Sequence, residues 1–379
     1  MHDPLILSPS RAARRVACPG SHFLEAKYPN VETESSREGT AAHWVAEEIL
    51  HDHPIPELGS FTPNDEIVTQ EMIDGAELYR RHIEHILLGW DETLRQRGGL
   101  NKCVFIEQKL IISDIHPMCE GTPDCWVFLD NLRQLHIWDY KFGYTPISPE
   151  ENWQLIEYAA GVLQKINEYR INYALANVDS IHFHIVQPRD YRSLSKIKTW
   201  AISVDKLLPY FNILRKAENE ATKPNAICRP NSECNYCRAR HTCPALNETA
   251  LIIADAIMQN TPDNLNNEEL GAELRYLEYA QQRLSARITG IKEQVLNKLR
   301  SGKRIPFYQL DTSRPRERWT KSPEIIAKLG DLFGINLRKT PDVITPQQAI
   351  KAGLPEDIIK ENSERPPGEF KVIPINMQK

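Results

Sequence analysis

The chain has 379 residues, of which 41% are hydrophobic and 26% charged, and its formal net charge is −5. This composition predicts a folded protein with one large domain or two ordinary ones, and it excludes a disordered chain. No run approaches the roughly 18 uncharged apolar residues of a membrane span. We therefore expect a cytoplasmic protein without a membrane partner, because the N-terminal segment also lacks the pattern of a signal peptide.

The net charge gives no global signature of nucleic-acid binding. Local basic patches could still form near the first and the later cysteines. Their residues would be Arg11, Arg14 and Arg15, and then Arg238, Arg240 and His241.

Apolar residues at helical spacing predict helices over 37–50 and 66–96. Three runs rich in branched and aromatic residues then predict strands over 102–113, 119–130 and 134–143. The last two strands are joined by the short polar segment DNLRQ, which is typical of a hairpin.

The second half of the chain continues with mixed elements and then becomes helical. The predicted elements are a helix capped by Ser148-Pro149-Glu150, strands over 180–188 and 197–204, a helix over about 205–220, a long helix or helical hairpin over 262–300 and a short helix over 322–333. We expect one domain over 1–248 and a helical C-terminal extension with a partly irregular tail over 249–379.

Two carboxylates and a lysine interrupt the predicted hairpin. Asp139 and Lys141 are two residues apart and would share a face of their strand, and antiparallel pairing would bring Asp124 beside Asp139. Such a pair on a strand is often only a surface ion pair, but these residues interrupt runs that otherwise look buried. Neighbouring carboxylates repel unless a cation lies between them, and Mg²⁺ prefers oxygen ligands. The lysine could position or deprotonate a water, or neutralise charge on a phosphate, which suits metal-assisted phosphodiester hydrolysis.

Half of the eight cysteines lie within a short segment after the predicted core. Cys234, Cys237 and Cys243 form the spacing C-x₂-C-x₅-C, which can converge on one metal centre but leaves a tetrahedral set one ligand short. Candidates for the fourth ligand are Cys228, His241 and Cys18. Both Zn²⁺ and a [4Fe–4S] cluster fit such thiolates. The cysteines on predicted strands are expected in the core, and they are Cys103, Cys119 and Cys125.

Four motifs in order resemble those of the RecB-like branch of the PD-(D/E)XK nuclease superfamily. GTPD and WDYKFG, which contain Asp124 and Asp139, resemble its G-x-x-D and D-Y-K-x-G motifs. Upstream, GTAAH ending at His43 resembles G-T-x-x-H, and downstream Gln154 to Tyr158 resembles Q-x-x-x-Y.

The resemblance implies a restriction-endonuclease-like α/β fold, with a central mixed sheet flanked by helices. It implies that His43, Asp124, Asp139 and the Tyr140 carbonyl bind Mg²⁺ or Mn²⁺, that Lys141 is catalytic, and that Gln154 and Tyr158 hold DNA. Glu107, on the preceding strand, could contribute or could be structural. The expected activity is metal-dependent hydrolysis of DNA, most plausibly exonucleolytic. The alternative is a DNA-binding or scaffolding module that keeps the fold without cutting.

The cysteine pattern resembles that of AddB-type and CRISPR-adaptation nucleases, in which one cysteine precedes the nuclease core and three follow it. By that resemblance Cys18, Cys234, Cys237 and Cys243 hold a structural [4Fe–4S] cluster, with Zn²⁺ as the alternative and Cys228 as a surplus thiol. The segments LSPSRAARRVACPGSHFLE and ERWTKSPE further resemble a family of phage-encoded RecB-like proteins, which implies a role in recombination. The expected DNA partner is linear and double- or single-stranded. A single-strand annealing or recombination protein is a second expected partner, in the cytoplasm of a bacterial host cell.

Overall fold

The computed structural model describes residues 6–30, 32–88, 104–173, 178–257, 265–312, 318–321, 323–339, 342–364 and 370–374. The chain divides into two compact units, Met1–Arg287 and Ile288–Lys379. The domain boundary predicted after residue 248 falls within the first unit, inside the helix Pro244–Ile257.

The first unit contains the elements that position the candidate site. Its helices are α1 Ala12–Ala17, α2 Ser21–Ala26, α3 Glu34–Leu50, α4 Gln70–Leu88, α5 Trp153–Tyr173, α6 Val204–Ala221, α7 Pro244–Ile257 and the first part of α8 Asn267–Arg300. Its strands are β1 Phe105–Ile106, β2 Leu110–Ile111, β3 Glu120–Gly121, β4 Cys125–Leu129, β5 Gln134–Tyr140, β6 Ser180–Val186 and β7 Ile197–Ser203.

A five-stranded mixed sheet forms the centre of this unit, in the order β1-β4-β5-β6-β7. Strands β4 and β5 pair antiparallel with Cys125 opposite Trp138, which confirms the predicted hairpin. Strands β5 and β6 are parallel, so the chain must cross between them, and α5 makes that crossover. The predicted α/β class with a central mixed sheet is confirmed.

Helices cover both faces of the sheet because its strands are apolar on both sides. On β5, Leu135 and Ile137 belong to a core that includes α5 and α6. The neighbouring Trp138 and Tyr140 point the other way, into a core built with α3 and α4. Since Asp139 lies between those two aromatic residues, its side chain leaves the sheet on the α5 side.

Several predicted boundaries differ from the observed ones. Helix α5 begins at Trp153, because the Asn152 side chain accepts hydrogen bonds from the amides of Gln154 and Leu155. The predicted Ser148 cap was therefore wrong by one turn. The region 262–300 is one continuous helix from Asn267, and it ends before Gly302, whose φ of +79° favours glycine. Residues 89–96, 102–103, 261–264 and 322, which the predictions include, lie outside the described residues.

The second unit begins within α8 and has a small core of its own. Its elements are β8 Tyr308–Thr312, β9 Arg318–Trp319, α9 Pro323–Leu332, β10 Arg338–Lys339, β11 Asp342–Val343, α10 Pro346–Lys351, α11 Glu356–Asn362, β12 Ser363–Glu364 and β13 Phe370–Pro374. Ile326, Leu337 and Leu354 are buried together in its core. Within the described residues of the whole chain, no helix has the length and apolarity to cross a bilayer.

Candidate active site and cysteine cavity

Asp124, Asp139 and Lys141 meet at one end of the β4–β5 hairpin. Asp139 Oδ1 lies 2.9 Å from Lys141 Nζ, so the two side chains share a side as predicted. Asp124 stands one residue before β4, and Lys141 one residue after β5. Their predicted positions on the strands were therefore slightly wrong. Asp124 Oδ2 accepts a hydrogen bond from the Tyr140 amide at 2.6 Å, which links the Asp124 side chain to the end of β5.

His43 reaches this site from α3. Its Nδ1 lies 3.5 Å from Asp124 Oδ1, and its ring packs edge-on against Tyr140 at 5.5 Å between centroids. The structure therefore brings together the predicted ligands His43 and Asp124, although they are far apart in sequence. A metal contact from the Tyr140 carbonyl oxygen stays a prediction.

Glu107 is the residue whose role the sequence left undecided, and it lies in the site. Ligand atoms of His43, Glu107 and Asp124 all fall within 4.8 Å of one another. The pairing of Ile106 with Cys125 places Glu107 opposite Asp124, and the Glu107 amide donates to the Asp124 carbonyl at 3.1 Å. Glu107 has a φ of +46°, a costly backbone conformation for a residue other than glycine. The register of a two-residue strand is the signal that would have identified it.

The electrostatics of the site favour a bound cation. Burial, together with the charge of Asp124, raises the pKa of Glu107 to about 8 and also raises the pKa of Asp139. Burial opposes ionisation of Asp124 as well, but His43 more than compensates and the pKa of Asp124 is lowered. Asp139 Oδ2 is buried without a hydrogen-bond partner among the described residues. Clustered carboxylates with an unsatisfied oxygen fit the ligand preference of Mg²⁺ or Mn²⁺.

Lys141 is a cation in this environment. Burial alone would lower its pKa, but the adjacent Asp139 and Asp124 carboxylates outweigh burial and raise the pKa. Its side chain is 25% exposed, compared with 2% for Asp139. The Lys141 ammonium is therefore positively charged and lies between the buried carboxylates and the solvent.

Gln154 joins the Lys141 and Asp139 side chains to α5. Its Oε1 accepts from Lys141 Nζ at 3.3 Å, and its Nε2 donates to Asp139 Oδ1 at 3.1 Å. The same Nε2 lies 3.5 Å from the Tyr158 hydroxyl. Tyr158 is only 6% exposed. Gln154 thus orients Lys141 and Asp139, while contact of Gln154 and Tyr158 with DNA stays a prediction.

The four predicted cluster cysteines line one small cavity, together with Cys228. The sulfur-bearing residues of this cysteine cavity are Cys18, Cys228, Cys234, Cys237 and Cys243. Backbone amides point at two of the sulfurs, from Arg229 to Cys18 Sγ at 3.2 Å and from Asn231 to Cys234 Sγ at 3.3 Å. The cavity lies between the end of α1 and the segment before α7. His241 packs instead against the Tyr28 ring, at 4.7 Å between centroids.

Cys228 lies between two of the predicted ligands. Its single S–H lies close to both Cys18 and Cys243 and can donate to one of them at a time, and this contact lowers the pKa of Cys18 to about 7 and the pKa of Cys243 to about 6. Those two residues thus have thiolate character, the form that binds metals. Among the described residues, no three of the cavity sulfurs lie within 4.8 Å of one another. Of the other cysteines, Cys119 and Cys125 are buried in the core as predicted, and Cys103 lies outside the described residues.

The basic residues near Cys18 are largely internal. Arg14 pairs with Glu25 at 2.7 Å, and Arg15 is 2% exposed and pairs with Glu157 and Glu218. The expectation that this segment could form a surface patch for nucleic acid was wrong for Arg14 and Arg15. Their positive charges are paired with carboxylates inside the first unit.

Two comparisons place the chain among known proteins. A family model described as "Protein of unknown function (DUF2800)" matches residues 5–373. A crystal structure of a phage-related exonuclease from Haemophilus somnus 129PT aligns with 57% of this chain and 92% of that chain, at 12% sequence identity and a TM-score of 0.21. We therefore base the functional proposal on the geometry of this chain's own residues.

Proposed function

We propose that this chain, which belongs to the DUF2800 family, is a metal-dependent DNA nuclease. The observation that carries the proposal is the convergence of His43, Glu107 and Asp124 within 4.8 Å, beside the Asp139–Lys141 pair. These donors and the unsatisfied Asp139 Oδ2 fit a hard divalent cation. Mg²⁺ or Mn²⁺ bound there would lower the pKa of a water and stabilise charge on the scissile phosphate.

Side chains of the protein would orient the groups that act on the phosphate. Asp139 and Gln154 hold the Lys141 ammonium in a fixed position, so it can donate to a phosphate oxygen as negative charge develops. Asp124 is itself oriented by the Tyr140 amide and by His43. A rigid site of this kind lowers the reorganisation needed in the transition state.

The finer assignment is exonucleolytic hydrolysis of linear DNA, in phage-type recombination or DNA processing. Its support is the order of the four motifs that contain His43, Asp124, Asp139 and Gln154. A single-strand annealing or recombination protein is the partner that this assignment implies. A DNA-binding module without cleavage is the competing function, and it gives no reason for pairing Lys141 with the buried Asp139.

The cysteine cavity is proposed to hold a structural [4Fe–4S] cluster on Cys18, Cys234, Cys237 and Cys243. A tetrahedral zinc site has Zn–S bonds of about 2.3 Å and hence sulfurs about 3.8 Å apart. Four thiolates can hold either a [4Fe–4S] cluster or a tetrahedral Zn²⁺, and the assignment to a cluster is supported by the resemblance of the cysteine order. Cys228 would then support Cys18 and Cys243 by hydrogen bonding, or replace one ligand. A colourless, zinc-containing anaerobic preparation would refute the cluster.

Cleavage of end-labelled linear DNA tests the nuclease proposal. We expect purified protein to degrade it with Mg²⁺ or Mn²⁺ and to stop when EDTA is added. Asp139→Asn should abolish cleavage while leaving the far-ultraviolet circular dichroism unchanged. The labelled ends also report the direction of attack and the strand preference. Equal cleavage by wild type and Asp139→Asn would defeat the assignment.

A further inference from the structure

Helix α8 carries a row of apolar side chains that the fold leaves exposed. Leu270, Leu274 and Leu277 are 59%, 59% and 42% exposed, and Ile288 further along the helix is 52% exposed. Contiguous exposed side chains of this size mark a surface that contacts another molecule. We name this row the α8 stripe, and its members are Leu270, Leu274, Leu277, Gln281, Leu284 and Ile288.

The α8 stripe has the spacing of a coiled-coil seam. Its members are separated alternately by four and by three residues, which is the heptad pattern of a helix that packs lengthwise against another helix. All of them are leucine or isoleucine except Gln281. A single polar residue in such a seam lowers its stability and restricts the pairings that it accepts. The pattern therefore indicates a second helix as the partner of α8.

A different face of α8 holds the helix to the first unit. Ala280, Arg283 and Ala286 are at most 2% exposed, and Ala286 packs beside Cys243. Arg283 Nη2 also donates to the Pro230 carbonyl at 3.1 Å. At 100° of rotation per residue, this anchored face is turned roughly 140° from the α8 stripe. A partner can therefore pack on the stripe without displacing α8, and it meets a helix that is already formed.

The charges beside the α8 stripe favour a second copy of the same helix in the antiparallel direction. Glu273 and Arg287 flank the stripe on one side, two heptads apart. In an antiparallel pair this flank faces its own copy, so each Glu273 meets Arg287 of the other molecule. The opposite flank then brings the two Glu278 side chains together, which is one unfavourable contact against two favourable ones.

A parallel pair has the opposite balance. Each Glu273 would then face Glu278 of the other copy, because the two flanks of the seam alternate across a parallel interface. Like charges juxtaposed in this way oppose association. The charges therefore select the antiparallel direction.

We propose that two copies of this chain associate through the α8 stripe as an antiparallel helix pair. The twofold axis crosses the stripe between Leu277 and Gln281, and Leu274 lies opposite Leu284 of the second copy. Each molecule contributes the same surface, as in other twofold dimers. This interaction surface is independent of the proposed nuclease function.

Analytical ultracentrifugation of the full chain over a concentration series tests the proposal. We expect wild type to show a monomer–dimer equilibrium. Leu277→Glu should remain monomeric, because two carboxylates would enter the apolar seam. The matched control is Leu208→Glu, which alters a leucine of α6 that is 49% exposed and should dimerise like wild type.

Charge reversal tests the direction of the helices. Glu273→Arg should raise the dissociation constant of the dimer about tenfold or more, since two attractive contacts become repulsive. Arg287→Glu should weaken the dimer in the same way. The double variant Glu273→Arg/Arg287→Glu should restore wild-type affinity, because the pair is re-formed with its signs exchanged.

A monomeric mass throughout the wild-type series would overturn the proposal. So would a dimer that survives Leu277→Glu, or one that Leu208→Glu weakens equally. Tighter association of Glu273→Arg would refute the antiparallel pairing, because only a parallel pair gains from that change. All of these measurements are made without DNA, so their outcome is separate from that of the cleavage assay.

Discussion

Arg15 connects three helices of the first unit through buried charges. Its Nε lies 2.5 Å from Glu218 on α6, and its Nη2 lies 3.3 Å from Glu157 on α5. The arginine is 2% exposed and both carboxylates are fully buried. The helix that carries Arg15 leads directly to Cys18. Arg15→Met shortens the side chain only slightly and removes its charge. It therefore tests how much the buried ion pairs of Arg15 contribute to the packing of these helices.

The expected loss of folding stability in Arg15→Met follows from the carboxylate charges that remain in the core. Burial raises the pKa of Glu157 and of Glu218, and the Arg15 charge opposes that rise at both carboxyls. Glu218 is the partner left without a cation, and breaking one buried pair costs about 3–5 kcal/mol. Because a unit that spans Met1–Arg287 loses roughly 1.7 °C per kcal/mol, the melting temperature should fall by about 5–8 °C.

Thermal and urea unfolding, followed by circular dichroism, measure this loss. The double variant Arg15→Met/Glu218→Gln should recover part of the stability, because it removes the uncompensated charge. Acidification should also narrow the gap between Arg15→Met and wild type, since Glu218 can then bind a proton. The control is Arg37→Met, whose exposed pair with Glu66 should contribute at most about 1 kcal/mol. A loss in Arg15→Met no larger than in Arg37→Met would refute the reasoning.

Three further predictions concern packing, protonation and metal binding. Gly20→Ala should destabilise the first unit by about 1–3 kcal/mol in urea, because its Cβ would meet the Cys228 amide at 2.7 Å. Gly39→Ala, whose Cβ meets nothing within 4 Å, should instead stabilise α3 slightly; equal losses in both variants would contradict this prediction. Burial lowers the pKa of His136 to about 3, so below about pH 6.5 the unfolded chain binds the proton first. Stability should therefore fall from about pH 6.5 towards pH 4, and His136→Asn should flatten that fall in melting curves; an unchanged slope would be evidence against it. Glu107→Gln should weaken Mn²⁺ binding by about tenfold or more in calorimetry, and unchanged affinity would exclude Glu107 as a ligand.

The sequence predicted those parts of the site that depend on local pattern. Asp139 and Lys141 are two residues apart on one hairpin, so strand periodicity and a short turn suffice to bring Asp124 beside them. His43 and Gln154 lie on other elements, and the resemblance of their motifs identified them. The strand and helix types of the first unit could be predicted for the same reason, because their apolar spacing is regular.

Features that depend on pairing between distant segments could not be decided from the sequence. Glu107 joins the site through the register of a two-residue strand, which leaves almost no trace in the sequence. Arg15 reads as a surface cation until its two buried carboxylates are brought together from α5 and α6. Cys228 likewise looks surplus in the spacing pattern, although its thiol contacts Cys18 and Cys243.

The rate of DNA cleavage by Lys141→Ala tests the central claim most directly. Single-turnover cleavage of linear DNA with Mn²⁺ should slow by about 100-fold or more, because one charged donor to the phosphate is lost. Lys109→Ala, which removes an exposed lysine paired with Glu120, is the matched control and should cleave like wild type. Cleavage by Lys141→Ala at the wild-type rate would contradict the claim that these residues form a nuclease active site.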